Sequence, residues 1–213
     1  MSFYEDNIFP YALDIALAGI QQARVDLVSS AKGRVLEIGM GNGANLPHYS
    51  AKADEVVGIE PCSAMVGMAE NKLDKLDKKS KLNIKREQYN LQVGSGEELP
   101  YEDNSFDSAI ACLVFCTIPN AEKAAAEMYR VLKPGGSVLF LEHVHAKSGV
   151  KRRIQNLINP IWKPLACGCN LNRDTKTVFS SAGFDYETIE EINHHPRMLP
   201  LFSSVMRGVA TKA

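Results

Sequence analysis

Two rhythms of apolar residues alternate along the chain, one with helical spacing and one with the short, β-branched runs of buried strands. Residues 11–30 carry Leu13, Leu17, Ile20, Ala23 and Leu27 on one helical face. Strands are expected at 34–38 and 55–60. A helix follows from about residue 63, with Ser63 as its cap and Met65, Met68, Leu73 and Leu76 as its buried stripe. Its far end, 72–81, is laced with charge. Asp74 faces Lys78 and Asp77 faces Lys81 at i,i+4, the pattern of a solvated surface with no partner assigned. Further strands are expected at 88–93 and 106–115, then a helix at 121–132 that stops where Lys133-Pro134-Gly135-Gly136 cannot continue it. A fifth strand at 137–144, a helix near 174–182 and strands at 186–192 and 204–210 complete the series. Strands separated by helices need crossover connections. The pattern therefore predicts a Rossmann-like, doubly wound α/β sheet whose ligands bind at the carboxyl ends of the strands.

A chain of 213 residues suffices for one sizeable core and is short for two enzymatic domains, so a single domain over 1–213 is expected. Within it, 1–30 forms an N-terminal helical cap and 147–173 an insertion. The 24 basic and 25 acidic residues nearly cancel, which argues against an extended nucleic-acid footprint and favours a small-molecule partner. No apolar run approaches the roughly 20 residues of a membrane span. The start Met-Ser-Phe-Tyr-Glu-Asp lacks the basic and apolar regions of a secretory signal, so a cytoplasmic location is expected. Five irregularly spaced cysteines (Cys62, Cys112, Cys116, Cys167, Cys169) read as reduced thiols rather than a disulfide framework.

The chemistry begins at Val35-Leu36-Glu37-Ile38-Gly39-Met40-Gly41-Asn42-Gly43-Ala44-Asn45, a strand that runs into three alternating glycines. Residues without Cβ let backbone approach a ligand closely, and the following helix start favours polar or anionic groups. Gly39 to Ala44 also fits the G-x-G-x-x-A dinucleotide fingerprint, with Glu60 about 20 residues beyond the first glycine as that pattern asks. Alone, the turn leaves both readings open. Three features separate them. Glu37 would repel a pyrophosphate but could help to hold a cationic amino group. Gly43 makes the pattern G-x-G-x-G. The segments Glu97-Glu98-Leu99-Pro100-Tyr101 with Asn104-Ser105-Phe106-Asp107, and Val131 to Gly136, have no place in a dinucleotide site.

With these four segments in order, the chain resembles the class I, seven-strand S-adenosylmethionine-dependent methyltransferases that act on small molecules. The resemblance implies a last strand that runs antiparallel between the fifth and sixth. It implies S-adenosyl-L-methionine as cofactor, with the Gly39, Met40, Gly41, Gly43 turn and Asn45 around its methionine part and Glu37 toward its amino group. Glu60, followed by Pro61, would accept from both ribose hydroxyls. Met65 would pack on the adenine, Gly96 and Glu97 would border its polar edge, and Leu113 would line the floor. Where relatives often carry Asp, Ser95 stands, so the adenine amino group would turn to Ser95 or Glu97. More narrowly, Leu141-Glu142-His143-Val144, Asn159-Pro160-Ile161-Trp162 and Gly168 to Arg173 resemble the thiol methyltransferase branch, with phospholipid and quinone methyltransferases as more distant relatives. A thiol acceptor is the first expectation, and a phospholipid amine or a quinone or phenol the alternative. An NAD-linked oxidoreductase and a non-catalytic cofactor-binding module are the rivals of other classes.

A sulfonium methyl is already activated, so displacement chiefly needs the acceptor held in line in a site cleared of water. His143, at the end of the fifth strand, is the candidate base, with a loop-orienting role as the alternative; Glu142 reads as packing or orientation. In 147–173, Val150, Ile154, Leu157, Ile158 and Ile161 form an apolar stripe. It reads as a lid over the acceptor pocket, against a helix packed on the sheet or one lying in a membrane interface. Trp162 suits a pocket wall or the core, and Tyr4 and Tyr11 a cap over the cofactor or the core. Cys112 and Cys116 read as small apolar residues near the floor. Cys167-Gly168-Cys169 and His143-Val144-His145 lack zinc-ligand spacing, so no metal is expected. His194-His195 mark a loop.

Overall fold

The computed structural model describes residues 20–146, 149–166, 168–193 and 204–213. The expectations for residues 1–19, including Leu13, Leu17, Tyr4 and Tyr11, and those for Cys167 and His194-His195, lie outside them. Seven strands form one sheet: β1 Gly33–Ile38, β2 Ala53–Glu60, β3 Tyr89–Val93, β4 Phe106–Cys112, β5 Leu132–His143, β6 Phe184–Asn193 and β7 Ser204–Lys212. Their order is β3-β2-β1-β4-β5-β7-β6. The first five pair in parallel, and β7 runs antiparallel between β5 and β6. The helices are α1 Gln21–Ser30, α2 Ser63–Lys78, α3 Ala121–Val131, α4 Gly149–Leu165 and α5 Thr175–Ser181.

The central strands are buried on both faces, and the core divides accordingly. Leu36, Ile38, Phe106, Phe140 and Phe179 lie on the side of α3 and α5, while Val35, Val56, Ile110, Leu139 and Leu141 lie on the side of α1 and α2. Such two-sided burial is why these strands read as continuous apolar runs rather than alternations.

Several boundaries differ from the pattern. The fourth strand ends at Cys112, three residues early, because Leu113 turns into the left-handed region at φ +58°. The helix before β5 ends at Val131, and β5 starts at Leu132. Leu132 pairs with Phe106 and Ser137 with Ser108, so Pro134-Gly135-Gly136 form an irregularity inside the strand rather than a loop before it. Ser63 is the first helical residue of α2, after Cys62. The buried face of α2 is Val66, Ala69 and Leu73, and Met68 is exposed. The charged end of that helix has a partner: Arg86 bonds Asp74 at 3.0 Å and also pairs with Glu70.

The largest difference is α4. Its stripe reads as a lid, as a face packed on the sheet or as a face lying in a membrane interface; Val150, Leu157, Ile161 and Leu165 are exposed and Gln155 is the buried residue, which does not fit packing on the sheet. Polar bonds hold the segment instead: Gln155 accepts from the Ala146 amide at 2.8 Å, and Asn159 from the Leu171 amide at 2.7 Å. Among the described residues, no helix is long and apolar enough to cross a membrane.

Candidate active site

The carboxyl ends of β1, β2 and β4 open onto a cavity of about 380 Å³, within the range of small-molecule sites. It is lined by Glu37, Gly39, Met40, Gly41, Asn45, Glu60, Pro61, Met65, Ser95, Gly96, Glu97 and Leu113, the group named from the sequence. Two expected residues stand apart. Gly43 does not line the cavity; a Cβ there would lie 2.4 Å from Leu46 Cδ1, so this glycine lets the turn pack on the helices. His143 is also not among the lining residues.

The first two glycines of the turn differ in the same way. Gly39 has φ +67°, and a Cβ on it would sit 2.2 Å from Val114 Cγ2. It allows the β1 end to touch the β4 end. Gly41 has φ +54° with nothing within 4 Å of its Cβ position, so it opens toward the cavity.

The turn's own donors decide what it can hold. Gly39 and Met40 donate to the Ile59 carbonyl at 2.7 and 3.3 Å, and Gly43 donates to the Met40 carbonyl at 3.0 Å. Gly41 donates to Glu60 Oε2 at 3.1 Å, and Cys62 to Glu60 Oε1 at 3.0 Å. Amides already engaged in this way make a poor phosphate cradle. The cavity instead presents acceptors. Glu37 is buried and takes hydrogen bonds from Asn45 Nδ2 at 2.8 Å and Tyr49 Oη at 2.5 Å. Burial raises its pKa, against the lowering effect of those two bonds and of Arg24. Burial raises the Glu60 pKa too, against its two backbone bonds. Asn45 Oδ1 is buried with no partner among the described residues and adds a further acceptor.

Arg24 is the residue that the pattern missed. It lines the cavity from α1, is buried, and its Nε has no hydrogen-bond partner among the described residues. A signal was present: Arg24 interrupts the buried face of Ile20, Leu27 and Val28 at i,i+4 spacing. Tyr49, the anchor of Glu37, carried no comparable signal.

At the adenine edge of the expected site, Ser95 Oγ accepts from the Glu97 amide at 3.1 Å, and Glu97 Oε1 from the Asn120 amide at 2.8 Å. The segment around Pro100 is held by Arg130, which bonds the carbonyls of Leu99 and Tyr101 at 3.1 and 2.8 Å. Beside it the Ser105 amide donates to the Val131 carbonyl at 2.7 Å, which joins the two distant motifs that the sequence sets beside the glycine turn.

Toward β5 the polar groups change character. Glu142 is fully buried and Oε1 receives the amides of Val114 and Phe115 at 2.9 and 3.0 Å, bracing the turn that follows Leu113. Burial drives its pKa up to about 8, although the backbone bonds oppose this. Burial, with a smaller effect from Lys151, lowers the His143 pKa to about 4, and neither ring nitrogen has a partner among the described residues. No group of three or more metal-ligating side chains comes together among the described residues.

Comparisons agree with this geometry. A family model described as a methyltransferase domain matches residues 36–140. The chain is 31% identical over 181 residues to the thiol S-methyltransferase TMT1B of Rattus norvegicus, covering 84% of this chain and 70% of that protein. It is 32% identical over 122 residues to the phosphatidylethanolamine N-methyltransferase of Cereibacter sphaeroides, covering 57% and 56%. Its fold resembles a solved S-adenosylmethionine-dependent methyltransferase of Thermotoga maritima, described as a possible histamine N-methyltransferase. That likeness has a TM-score of 0.69 and 19% identity, and covers 99% and 98% of the two chains. The seven-strand topology, the acceptor-rich cavity and the 31% identity to a relative covered over 70% of its length converge: this chain belongs to the class I S-adenosylmethionine-dependent methyltransferases.

Proposed function

We propose that the protein transfers the methyl group of S-adenosylmethionine to a small, partly apolar thiol. The observation that carries the cofactor reading is the cavity at Glu37, Asn45, Glu60 and Arg24. Glu37 and Asn45 Oδ1 offer only acceptors, which suits an ammonium, and the buried Arg24 suits the neighbouring carboxylate of an amino acid. Glu60 keeps lone pairs beyond its two backbone bonds, enough for two ribose hydroxyls. Met65 supplies an apolar face, and Ser95 and Glu97 the polar rim for the adenine. The bound cofactor supplies an electrophilic sulfonium methyl. Gly41 leaves room for it, and Leu113 with Val114 and Ile118 gives an apolar floor that excludes water.

The acceptor reading rests on the weakness of the available base. A ring whose conjugate acid has a pKa of about 4 is a poor match for a phenol near pKa 10. An alkyl thiol, near pKa 8.5, provides some thiolate without help. His143, neutral at physiological pH, lies at the β5 end outside the cofactor cavity, where its ring suits a hydrogen-bond acceptor that orients the methyl acceptor rather than a base. The similarity to a thiol S-methyltransferase supports the same class. Cofactor labelled in the methyl group, offered with a panel of thiols, amines, phenols and lipids, tests the assignment. Transfer to thiols is expected. Transfer to lipid amines or phenols alone would replace the acceptor, and calorimetry showing NAD binding without S-adenosylhomocysteine binding would sink the cofactor reading.

A further inference from the structure

The proposed methyl transfer does not use the thiols of Cys116 and Cys169, which lie against each other behind the cavity floor. Cys116 belongs to the turn after β4, between the cavity-lining residues Val114 and Thr117. Its carbonyl accepts from both the amide and the side-chain nitrogen of Asn170, at 2.8 and 2.9 Å. These bonds press the 168–173 strap, which follows α4, onto the turn. Arg173 adds a third contact, donating to the Ile118 carbonyl at 2.8 Å. As a result the Cys169 thiol lies beside the Cys116 thiol, close enough for the two to interact, with the Trp162 side chain of α4 next to the Cys169 sulfur.

The two thiols are unequal. Cys116 is buried and its thiol donates to the Leu113 carbonyl at 3.8 Å; interaction with the neighbouring Cys169 and burial hold its pKa well above the ordinary thiol value. Cys169 is half-buried, and the bonds from Cys116 and Trp162 stabilise its thiolate and lower its pKa. A partly exposed thiolate beside a second thiol is the arrangement of a dithiol that oxidises reversibly.

We propose that Cys116 and Cys169 form a site of reversible oxidation, in which a peroxide converts the thiol pair into a disulfide that ties the 168–173 strap to the floor of the cofactor cavity. The Cys169 thiolate attacks the peroxide oxygen, breaking the O–O bond to give a sulfenic acid and, after proton uptake, water. Cys116 sulfur then attacks the Cys169 sulfur. The S–S bond forms, the S–OH bond breaks, and the hydroxide leaves as water with the Cys116 proton. Two thiols and one hydrogen peroxide thus yield one disulfide and two waters. Dithiothreitol reverses the change by exchange.

The test is to treat reduced full-length protein with hydrogen peroxide, block remaining thiols and map the peptides without reduction. A Cys116-to-Cys169 cross-linked peptide is expected, with the intact mass lower by two hydrogens and restored by dithiothreitol. C167S should retain the cross-link. C116S should leave Cys169 as a sulfenic acid that dimedone traps. If C116S fails to fold, the wild-type map still decides. Cys169 overoxidised or paired with Cys167, with Cys116 still open to alkylation under denaturing conditions, would overturn the proposal.

Discussion

The ends of β1 and β5 each carry a buried carboxylate, and the two are held in opposite ways. Glu37 is gripped by side chains, Asn45 and Tyr49, and lines the cavity. Glu142 is gripped by the backbone of the 113–117 turn, and its second oxygen, Oε2, is buried with no hydrogen-bond partner among the described residues. Side-chain donors leave Glu37 with spare lone pairs at the cavity wall. Backbone donors make Glu142 a bracket for the turn that forms the floor. The β1 end is therefore read as a binding site and the β5 end as its support, although both carry the same functional group.

The sharpest way to break this contrast is E142A. It strands the Val114 and Phe115 amides, each at roughly 1–3 kcal/mol, so stability in urea should fall by ~2–5 kcal/mol. A loss under ~1 kcal/mol would mean that the turn does not need its bracket. E60A and E37Q should act on affinity instead. Each is expected to weaken S-adenosylhomocysteine binding by ~1.5–3 kcal/mol, the range for charge-assisted hydrogen bonds, as read by calorimetry. Unchanged affinity in E60A would remove it from the ribose.

The pH dependence separates Glu142 from His143. The Glu142 pKa is raised from 4.5 to about 8, so its contribution to stability is full below pH 4.5 and is lost as pH rises toward 8. The His143 pKa is lowered from 6.5 to about 4, so its contribution is present above pH 6.5 and is lost as pH falls toward 4. The two slopes oppose each other between 4.5 and 6.5. Above 6.5 the Glu142 slope stands without its opponent, and unfolding free energy should drop by roughly 1–2 kcal/mol up to pH 8. E142Q should flatten that segment. The smallest effect is expected for H143A: kcat/KM for the thiol should fall about tenfold, ~1.4 kcal/mol, with cofactor affinity unchanged. An equal fall with every acceptor accompanied by weaker cofactor binding would make His143 structural.

Legibility followed locality. The glycine turn, Glu37 and Glu60 could be read because a strand, a turn and the next strand's end encode them within a few residues of fixed spacing. Arg24 was partly legible as a break in an apolar face. Cys169 was not, because its neighbour Cys116 is brought to it only by the Asn170 bonds to the Cys116 carbonyl. The α4 stripe misled for a related reason. Helical periodicity shows that one face is apolar, but not which way that face points. Here two polar anchors, the buried Gln155 and the half-buried Asn159, set the helix's orientation and left the apolar residues outside.

By itself the sequence determined the α/β class, the strand count and the methyltransferase family, and it singled out twelve residues that the fold brings together around one cavity, since periodicity and motif spacing are local properties of the chain. Only the tertiary structure decided which donors were already spent, that Gly43 serves packing, and that Glu142 and His143 lie in surroundings that shift their protonation in opposite directions. Desolvation and hydrogen-bond satisfaction depend on what surrounds an atom in space, and that is fixed only when distant segments meet.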